Sequence, residues 1–320
     1  MERRLAERSF VDEMTCDLGG RRTTAFFEKC NRLIPWSQLA QSLGRVYEDG
    51  GGGGRPAWPV VLMIKSLLVQ KWFNLSDPQL EEMLSDRLSF RRFVGLSLED
   101  GVPDETTFVR FRQRLRELGQ ERTLFETTAR YLERQGVLLK NGTLVDATLL
   151  EAPRGRERED GSSTRDAEAE YTSRPSKAVH GYKAHVATDR RGLIRDYRVT
   201  HAAVHDSVML EELTADEHEA VYADSGYMSA ARSVKLRRRG IQDGIMRRRV
   251  RGQASLSKKE RRRNQAISKI RGIVELAFAW MKNTGFRRVR YRGQDRNDQD
   301  VGVWACAYNW KRSLSLLSGA

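Results

Sequence analysis

Three acidic residues lie where a hydrolytic metal site is easily built. Asp146 lies within an apolar run that is typical of a buried strand. Asp224 closes a second short apolar run, directly before a glycine-containing turn. Glu275 lies in a basic segment, 267–282, whose spacing of apolar residues predicts a helix. Carboxylates from two strands and a helix can converge on a pair of Mg²⁺ ions, and paired metals are a common means of cutting phosphodiesters.

Taken singly, the three acids differ in how strongly they indicate a site. Aspartate is depleted in strands and costly to bury unpaired, so Asp146 needs a metal or another cation beside it. Asp224 alone is compatible with a simple turn, and Glu275 alone with a surface ion pair to Arg271 at i,i+4 spacing. Their joint presence favours a metal-dependent enzyme.

The bulk composition indicates a polyanionic partner. The chain has 320 residues and a formal net charge of +14, an excess of cations that favours binding to nucleic-acid phosphates. A membrane is the rival polyanion, but no apolar run approaches the roughly 18 residues that a spanning helix needs. The N-terminus also lacks the apolar core of a signal peptide. We therefore expect a cytoplasmic protein that acts on DNA and not on a membrane.

The cysteines and histidines do not form a recognisable metal motif. Cys16, Cys30 and Cys306 contain no CxxC pair, which predicts neither a zinc site nor a disulfide framework. His185 alternates with strand neighbours, so we expect it to be packed or hydrogen-bonded rather than a ligand. Asp206 follows a predicted strand, and a helix N-cap is favoured over a catalytic role.

The first 138 residues predict a helical domain. An almost continuously apolar segment, 60–72, indicates a core helix after Pro59. Ser76 is a good N-cap for the next helix, and a third helix begins near Asp104. The residues of this third helix that we expect to contact DNA are Arg110, Arg112 and Arg114. Short helices with a basic last member fit a helix-turn-helix-like DNA module, and the alternative is an ordinary bundle with a solvated arginine face.

From residue 139 onward the sequence predicts a mixed sheet flanked by helices. Residues 181–188 and 193–200 alternate as in a hairpin. A helix, the strand that ends at Asp224, a second helix and a last strand follow, an order typical of an α/β domain. The expected architecture is thus an all-α DNA-binding or assembly domain, 1–138, followed by an α/β catalytic domain, 139–320.

The densest basic tract lies between residues 235 and 269. It contains only Asp243 and Glu260 as acids, whereas a solvated helix face usually balances its charges. Phosphate contact is therefore favoured over a disordered basic loop. The residues expected to contact DNA here are Arg247, Arg248, Arg249, Lys258 and Lys259.

A continuous helix over 267–282 would place Arg271, Glu275 and Lys282 on one stripe, because an α-helix has 3.6 residues per turn. The opposite side of such a helix would supply apolar residues to the core. The predicted stripe thus holds one carboxylate between two cations.

These features, in this order, resemble bacterial insertion-sequence transposases of the DDE type, in the broad IS-four/IS-five assemblage. The stretches that resemble the family's helical domain and its first two acidic motifs are 74–93, 102–107, 143–148 and 221–227. The third signature is an arginine, a glutamate four positions later and a lysine seven positions after that, and it is kept at 271–282. Ser268 occupies the family's tyrosine position.

The resemblance implies a ribonuclease-H-like fold in which Asp146, Asp224 and Glu275 hold two Mg²⁺ ions, with Mn²⁺ able to substitute. One ion would activate the attacking water or 3′-hydroxyl and the other would stabilise the leaving oxygen. Arg271 and Lys282 would grip phosphates beside the scissile bond.

The resemblance also implies a bacterial, nucleoid-associated homodimer or larger assembly that binds terminal inverted repeats in double-stranded DNA and joins them to a target. Two alternatives remain open. One is a Mg²⁺-dependent nuclease on the same fold that needs no specific ends, and the other is a non-catalytic, transposase-derived DNA-binding protein.

Overall fold

The computed structural model describes residues 2–6, 22–47, 56–156, 163–174 and 177–318, so Cys16 and the consecutive glycines at 51–54 lie outside it. The chain divides into two compact units. The first comprises Met1–Thr128 with Gly302–Ala320, and the second comprises Ala129–Val301. Within the described ranges, no helix has the length and apolar character needed to cross a bilayer.

The order of the regular elements follows the sequence-based prediction, with helices first and the strands after residue 142. The helices are α1 (Arg22–Leu33), α2 (Trp36–Ser42), α3 (Val60–Trp72), α4 (Asp77–Asp86), α5 (Leu88–Val94), α6 (Glu105–Glu117), α7 (Thr123–Arg134), α8 (Leu210–Leu213), α9 (Ala230–Arg238), α10 (Lys258–Arg271), α11 (Glu275–Asn283) and α12 (Gln294–Ser318). The strands are β1 (Thr143–Glu151), β2 (Glu170–Arg174), β3 (Lys177–Thr188), β4 (Ile194–His201), β5 (Ala220–Ala223) and β6 (Gln242–Ile245).

Local signals set the helices of the first unit. The predicted core helix α3 begins directly after Pro59, and most of its side chains are buried. Ser76 caps α4 through a reciprocal capping box with Gln79. The Asp104 carboxylate accepts a hydrogen bond from the Thr107 amide and starts α6. These three predictions are confirmed.

The end of α12 belongs to the first unit, which is where the structure departs from the sequence-based ranges 1–138 and 139–320. The Trp72 indole donates a 2.8 Å hydrogen bond to the Ala307 carbonyl. Thr128 Oγ1 lies 3.0 Å from the buried Cys306 Sγ. Trp304 and Trp310 are buried, so the C-terminal aromatic residues pack as core.

In the second unit, the strands that the structure describes form one mixed sheet. The strand order is β2-β3-β1-β5-β6, with β4 also paired to β3. β1, β3 and β4 are antiparallel neighbours, whereas β1, β5 and β6 run parallel. This α/β arrangement after a helical N-terminal part confirms the predicted fold class.

One face of this sheet packs against helices α8 and α9. Val145 from β1 and Val221 and Ala223 from β5 join a buried cluster with Leu213 and Leu236 from the two helices. Because side chains alternate along a strand, Asp146 and its counterpart at the end of β5 belong to the other face. The sheet therefore presents its acidic residues away from this core.

Candidate catalytic site

The pairing of β1 with β5 brings the first two acids together. The parallel register joins Leu144 to Tyr222, and Asp146 and Asp224 each lie two residues farther along. Residues two apart on a strand share a face, so both carboxylates leave the same face of the sheet, Asp146 from within β1 and Asp224 from directly after the end of β5. They are close enough for the charge of Asp224 to raise the pKa of Asp146.

Asp146 is largely buried and already has a cationic partner. Its Oδ2 lies 2.9 Å from Nη2 of Arg271, and its side chain is 20% exposed. Its Oδ1 accepts a hydrogen bond from the Ala147 amide at 2.9 Å. Burial raises the pKa of Asp146 above its usual range, although Arg271 and the Ala147 amide act in the opposite direction. The carboxylate thus requires positive charge beside it, as its position in a strand predicted.

Asp224 ends its strand and begins a short turn. Its side chain accepts a 2.7 Å hydrogen bond from the Gly226 amide and caps the 3₁₀ turn Ser225–Tyr227. A Cβ at position 226 would lie 3.0 Å from the Asp224 Oδ1, so the glycine leaves room for the carboxylate. The predicted turn after this strand is confirmed, and it fixes Asp224 directly after the end of β5.

Glu275 does not lie in the continuous helix that the sequence predicted. Helix α10 ends at Arg271 and α11 begins at Glu275. Between them, Ile273 and Val274 donate to carbonyls three residues back, the pattern of a tighter 3₁₀ turn. Gly272 and the two β-branched residues that follow it have lower helix propensity, which accounts for the break. The stripe of 271, 275 and 282 is therefore wrong.

The break leaves Glu275 exposed at the first position of α11. Across the ranges that the structure describes, no three acidic, histidine or cysteine side chains gather closely enough to hold a metal ion. The structure thus brings Asp146 and Asp224 together and does not bring Glu275 to them.

A fourth acid, Asp206, lies in the same neighbourhood. Burial raises the pKa of the Tyr227 hydroxyl above its usual range, and the charges of Asp206, Asp146 and Asp224 all add to this rise. Asp206 forms a 2.9 Å ion pair with Nζ of Lys183. The N-cap prediction for Asp206 is wrong, because the side chain of the preceding histidine accepts the capping hydrogen bond.

Sequence reasoning assigned no role to Lys183 or Tyr227. The available signal was position alone, since Tyr227 follows Asp224 by three residues and Lys183 lies two residues before His185 in the same strand. His185 itself is buried, and its Nε2 lies 2.9 Å from the Thr200 hydroxyl. Burial lowers its pKa to about 4. The prediction of a packed, hydrogen-bonded histidine is confirmed.

The two adjacent aspartates suit a divalent cation. Both offer hard oxygen donors. Burial raises the pKa of Asp146, and a bound cation would favour its charged form. The Arg271 guanidinium already donates a 2.9 Å hydrogen bond to one of these donors, Asp146 Oδ2.

Two family models match the chain. One, described as a transposase domain (DUF772), matches residues 18–114. The other, described as a transposase DDE domain, matches residues 138–310, more than half of the chain. The chain belongs to the DDE transposase family. Among solved structures, it is similar to the piggyBac transposase in a synaptic complex with hairpin DNA, at 10% identity and a TM-score of 0.45 over 92% of this chain and 75% of that one.

Membership of this family confirms the resemblance drawn from the sequence and identifies the protein as a DNA transposase. Transposases of this family generally use divalent metal ions.

The remaining expectations concern the cations that would hold DNA. In the helical unit, Arg110 is exposed and Arg114 lies 3.6 Å from Glu117. Arg112 is instead buried and forms a 2.5 Å ion pair with Asp77. The expectation of an exposed Arg112 is wrong because α6 packs this side against α4.

The basic tract of the transposase also divides into inward and outward members. Arg247 forms a 3.0 Å ion pair with Asp243 and a hydrogen bond with Ser233, so it holds β6 to its surroundings. Of the cations in the second unit that are expected to contact DNA, those that the structure leaves exposed are Arg248, Arg249, Lys258, Lys259 and Lys282. A polar interior contact for Arg247 could not be read from a run of three arginines.

Proposed function

We propose that this transposase binds the terminal inverted repeats of its insertion sequence and catalyses Mg²⁺-dependent cleavage and strand transfer. The observation that carries the proposal is the parallel register of β1 and β5, which puts Asp146 and Asp224 beside each other on one face of the sheet. Family membership supports the same reaction class. Bound divalent cations supply the charge that activates an attacking hydroxyl and stabilises the leaving oxygen.

Asp146 and Asp224 are the proposed cation-holding pair. A bound cation would compete with Arg271 for the Asp146 carboxylate, and a released guanidinium would be free to bind a DNA phosphate. Asp224 would hold the cation while its side chain keeps the hydrogen bond from the Gly226 amide.

Glu275 is the proposed third ligand. It follows Arg271 by four positions, across a single tight turn, and its side chain is exposed. Its role as a ligand requires this turn to rearrange when metal or DNA binds. The family signature places its acidic residue at this position, which supports the same assignment.

The proposed DNA contacts in the second unit are the exposed cations named above, Lys282 among them. Arg110 and Arg114 of α6 are the proposed contacts of the helical unit. Arg112 and Arg247 are left out because their guanidinium groups are engaged by Asp77 and Asp243. We propose that the protein works as a dimer or larger assembly on paired ends, which light scattering with end DNA tests.

The test is end-specific cleavage and joining. Purified protein receives Mg²⁺ and DNA that carries the inverted repeats flanking its gene, with scrambled ends as the control. We expect cleavage at the repeat tips and joined product, both lost in Glu275→Gln and in Asp146→Asn. Glu211→Gln is the matched control, because this exposed helical glutamate pairs with Lys235.

The other two functions give different results in the same assay. Equal cutting of both substrates without joining would indicate a general nuclease. End binding without any cutting would indicate a non-catalytic DNA-binding protein. Full activity of Glu275→Gln would remove Glu275 from the site while leaving the two aspartates in place.

A further inference from the structure

A cavity of about 260 Å³ opens at the far end of β1, away from the strand's first residues. Short apolar residues, among them Val179, form part of its wall. Its charged and polar lining comes from Glu151, Arg154, His180 and Arg288. None of these residues belongs to the proposed metal-binding pair, and we call this feature the β1-end cavity.

Backbone hydrogen bonds fix the rim of the β1-end cavity. The amide of Glu151 donates to the Arg287 carbonyl at 3.1 Å, and the amide of Val289 donates back to the Glu151 carbonyl at 2.9 Å. On the other side, the Ala152 amide donates to the His180 carbonyl at 2.9 Å. The segment that carries Arg288 is thus bound to the end of β1, and the arginine has a defined place.

The surroundings of the cavity carry an excess of positive charge. Arg154 and Arg288 line it, and both are exposed. Arg156 and Arg287 flank them and are also exposed. The acid at the rim, Glu151, lies 4.0 Å from the Arg288 guanidinium, at the limit of an ion pair. A contact of that length between exposed groups neutralises little of the charge.

His180 adds a second, independent feature that requires a ligand. The residue is only 5% exposed, and its ring lies 4.8 Å from that of Tyr171. Among the described residues, its Nδ1 has no hydrogen-bond partner. Buried polar atoms are almost always paired, so the unpaired nitrogen marks a place beside the cavity where a hydrogen-bonding partner is missing.

We propose that the β1-end cavity binds the sugar-phosphate backbone of the DNA substrate, with a phosphate between Arg154 and Arg288. Two guanidinium groups and an unpaired imidazole nitrogen are suited to phosphate oxygens. This inference rests on the proposed function, because it assigns a contact to the DNA that the metal site cuts.

The geometry of β1 gives the position of this contact on the DNA. Asp146 and Glu151 are five residues apart on one strand, which corresponds to about 17 Å at roughly 3.3 Å per residue. Successive base pairs are about 3.4 Å apart along a duplex. A duplex that lies along β1 would therefore place the bound phosphate about five nucleotides from the scissile one.

The test compares two charge-matched double variants. Arg154→Ala/Arg288→Ala removes both cations at the cavity, and both are exposed, so folding is retained. Lys140→Ala/Arg190→Ala removes two exposed cations that lie away from the cavity, one just before β1 and one in the turn between β3 and β4. Binding of a fluorescein-labelled duplex of the flanking repeat is measured by anisotropy without metal, between 50 and 200 mM salt.

We expect the cavity variant to raise Kd about tenfold at 100 mM salt and to reduce the slope of log K against log salt by about one. The matched variant should change neither by more than about twofold. His180→Phe keeps a ring against Tyr171 and removes Nδ1, and a smaller rise in Kd is expected. Phosphate-ethylation interference about five nucleotides from the cleaved bond should disappear only in the cavity variant.

Equal Kd and equal salt slope for the two double variants would overturn the inference, as would unchanged ethylation interference in the cavity variant. Failure of the proposed function gives a different signature, because wild-type protein would then neither prefer the repeat duplex nor cut it with Mg²⁺. If the wild type binds and cuts the repeat duplex but the cavity variant binds DNA as the matched variant does, only the present inference is refuted.

Discussion

Replacing Glu217 with glutamine should destabilise the sheet that carries the proposed site. Glu217 is 1% exposed. Its carboxylate accepts hydrogen bonds from the amides of Gly142, Thr143 and Glu219 at 3.2, 2.9 and 2.7 Å. It also forms a 2.8 Å ion pair with Arg195. One side chain thus joins the starts of β1 and β5, the two strands that position Asp146 and Asp224.

The magnitude follows from the pKa of Glu217. Burial alone would raise that pKa, but the hydrogen bonds from Thr143, Glu219 and Gly142 and the charge of Arg195 lower it from 4.5 to about 2. This difference corresponds to about 3 kcal/mol of unfolding free energy at neutral pH. A lowered carboxylate pKa stabilises the fold above pH 4.5, and this stabilisation is lost as the pH falls from 4.5 towards 2.

The assay is hydrogen exchange at pH 7, followed on peptides that cover β1 and β5. Glu217→Gln should lower the local opening free energy by about 2–3 kcal/mol, and Glu217→Ala by about 3–5 kcal/mol because Arg195 is left buried without its acid. Glu219→Gln is the matched control. Its exposed ion pair with Arg190 contributes about 0–1 kcal/mol.

Two results would refute this reasoning. One is Glu217→Gln exchange indistinguishable from that of Glu219→Gln. The other is a urea midpoint whose fall below pH 4.5 is as steep in Glu217→Gln as in the wild type, since the variant has no carboxylate to protonate there. Either result would mean that Glu217 does not hold the two strand starts through its charge.

Three further predictions follow from single contacts. Arg271→Ala frees the Asp146 carboxylate from its ion pair, so Mn²⁺ should bind about fivefold more tightly, the equivalent of about 1 kcal/mol for this pair. Calorimetry measures this affinity, and weaker or unchanged binding would contradict the prediction. His185 has a pKa of about 4, so its protonation opposes folding as the pH falls from 6.5 to 4. His185→Gln should therefore make the urea midpoint less dependent on pH in that window, and an equal pH dependence in variant and wild type would exclude the effect. Burial raises the thiol pKa of Cys30 and Cys306 to about 12, so iodoacetamide at pH 8 should modify their tryptic peptides only after unfolding, and rapid native labelling would show that they are accessible.

Sequence determined the elements whose causes are local. Helix α3 follows from a proline and a long apolar segment, and α4 from the hydrogen-bonding pattern of Ser76 with a residue three positions on. The strand around Asp146 and the turn after Asp224 follow from apolar runs that end at a turn-forming residue. Such signals act over a few residues, and the chain carries them whatever its tertiary structure.

Tertiary structure alone decided which of these residues meet. The offset between β1 and β5 brings Asp146 beside Asp224, and no sequence period fixes the register of two strands about seventy-eight residues apart. The direction of Arg112 into the interior depends on Asp77 of another helix. Ion pairs of this kind depend on distance in space, which spacing along the chain does not encode.

The position of Glu275 shows the same division most clearly. Its identity and its interval from Arg271 can be read from the sequence, and they match the family signature. Its place relative to the two aspartates depends on the turn at Gly272, where the hydrogen-bond pattern changes from four-residue to three-residue spacing. That change alters the rotation of every later side chain about the helix axis, because each residue of an α-helix turns by about 100° and each residue of a 3₁₀ turn by about 120°. The sequence therefore supplied the chemistry of the third acid, and the packed backbone determined where that acid points.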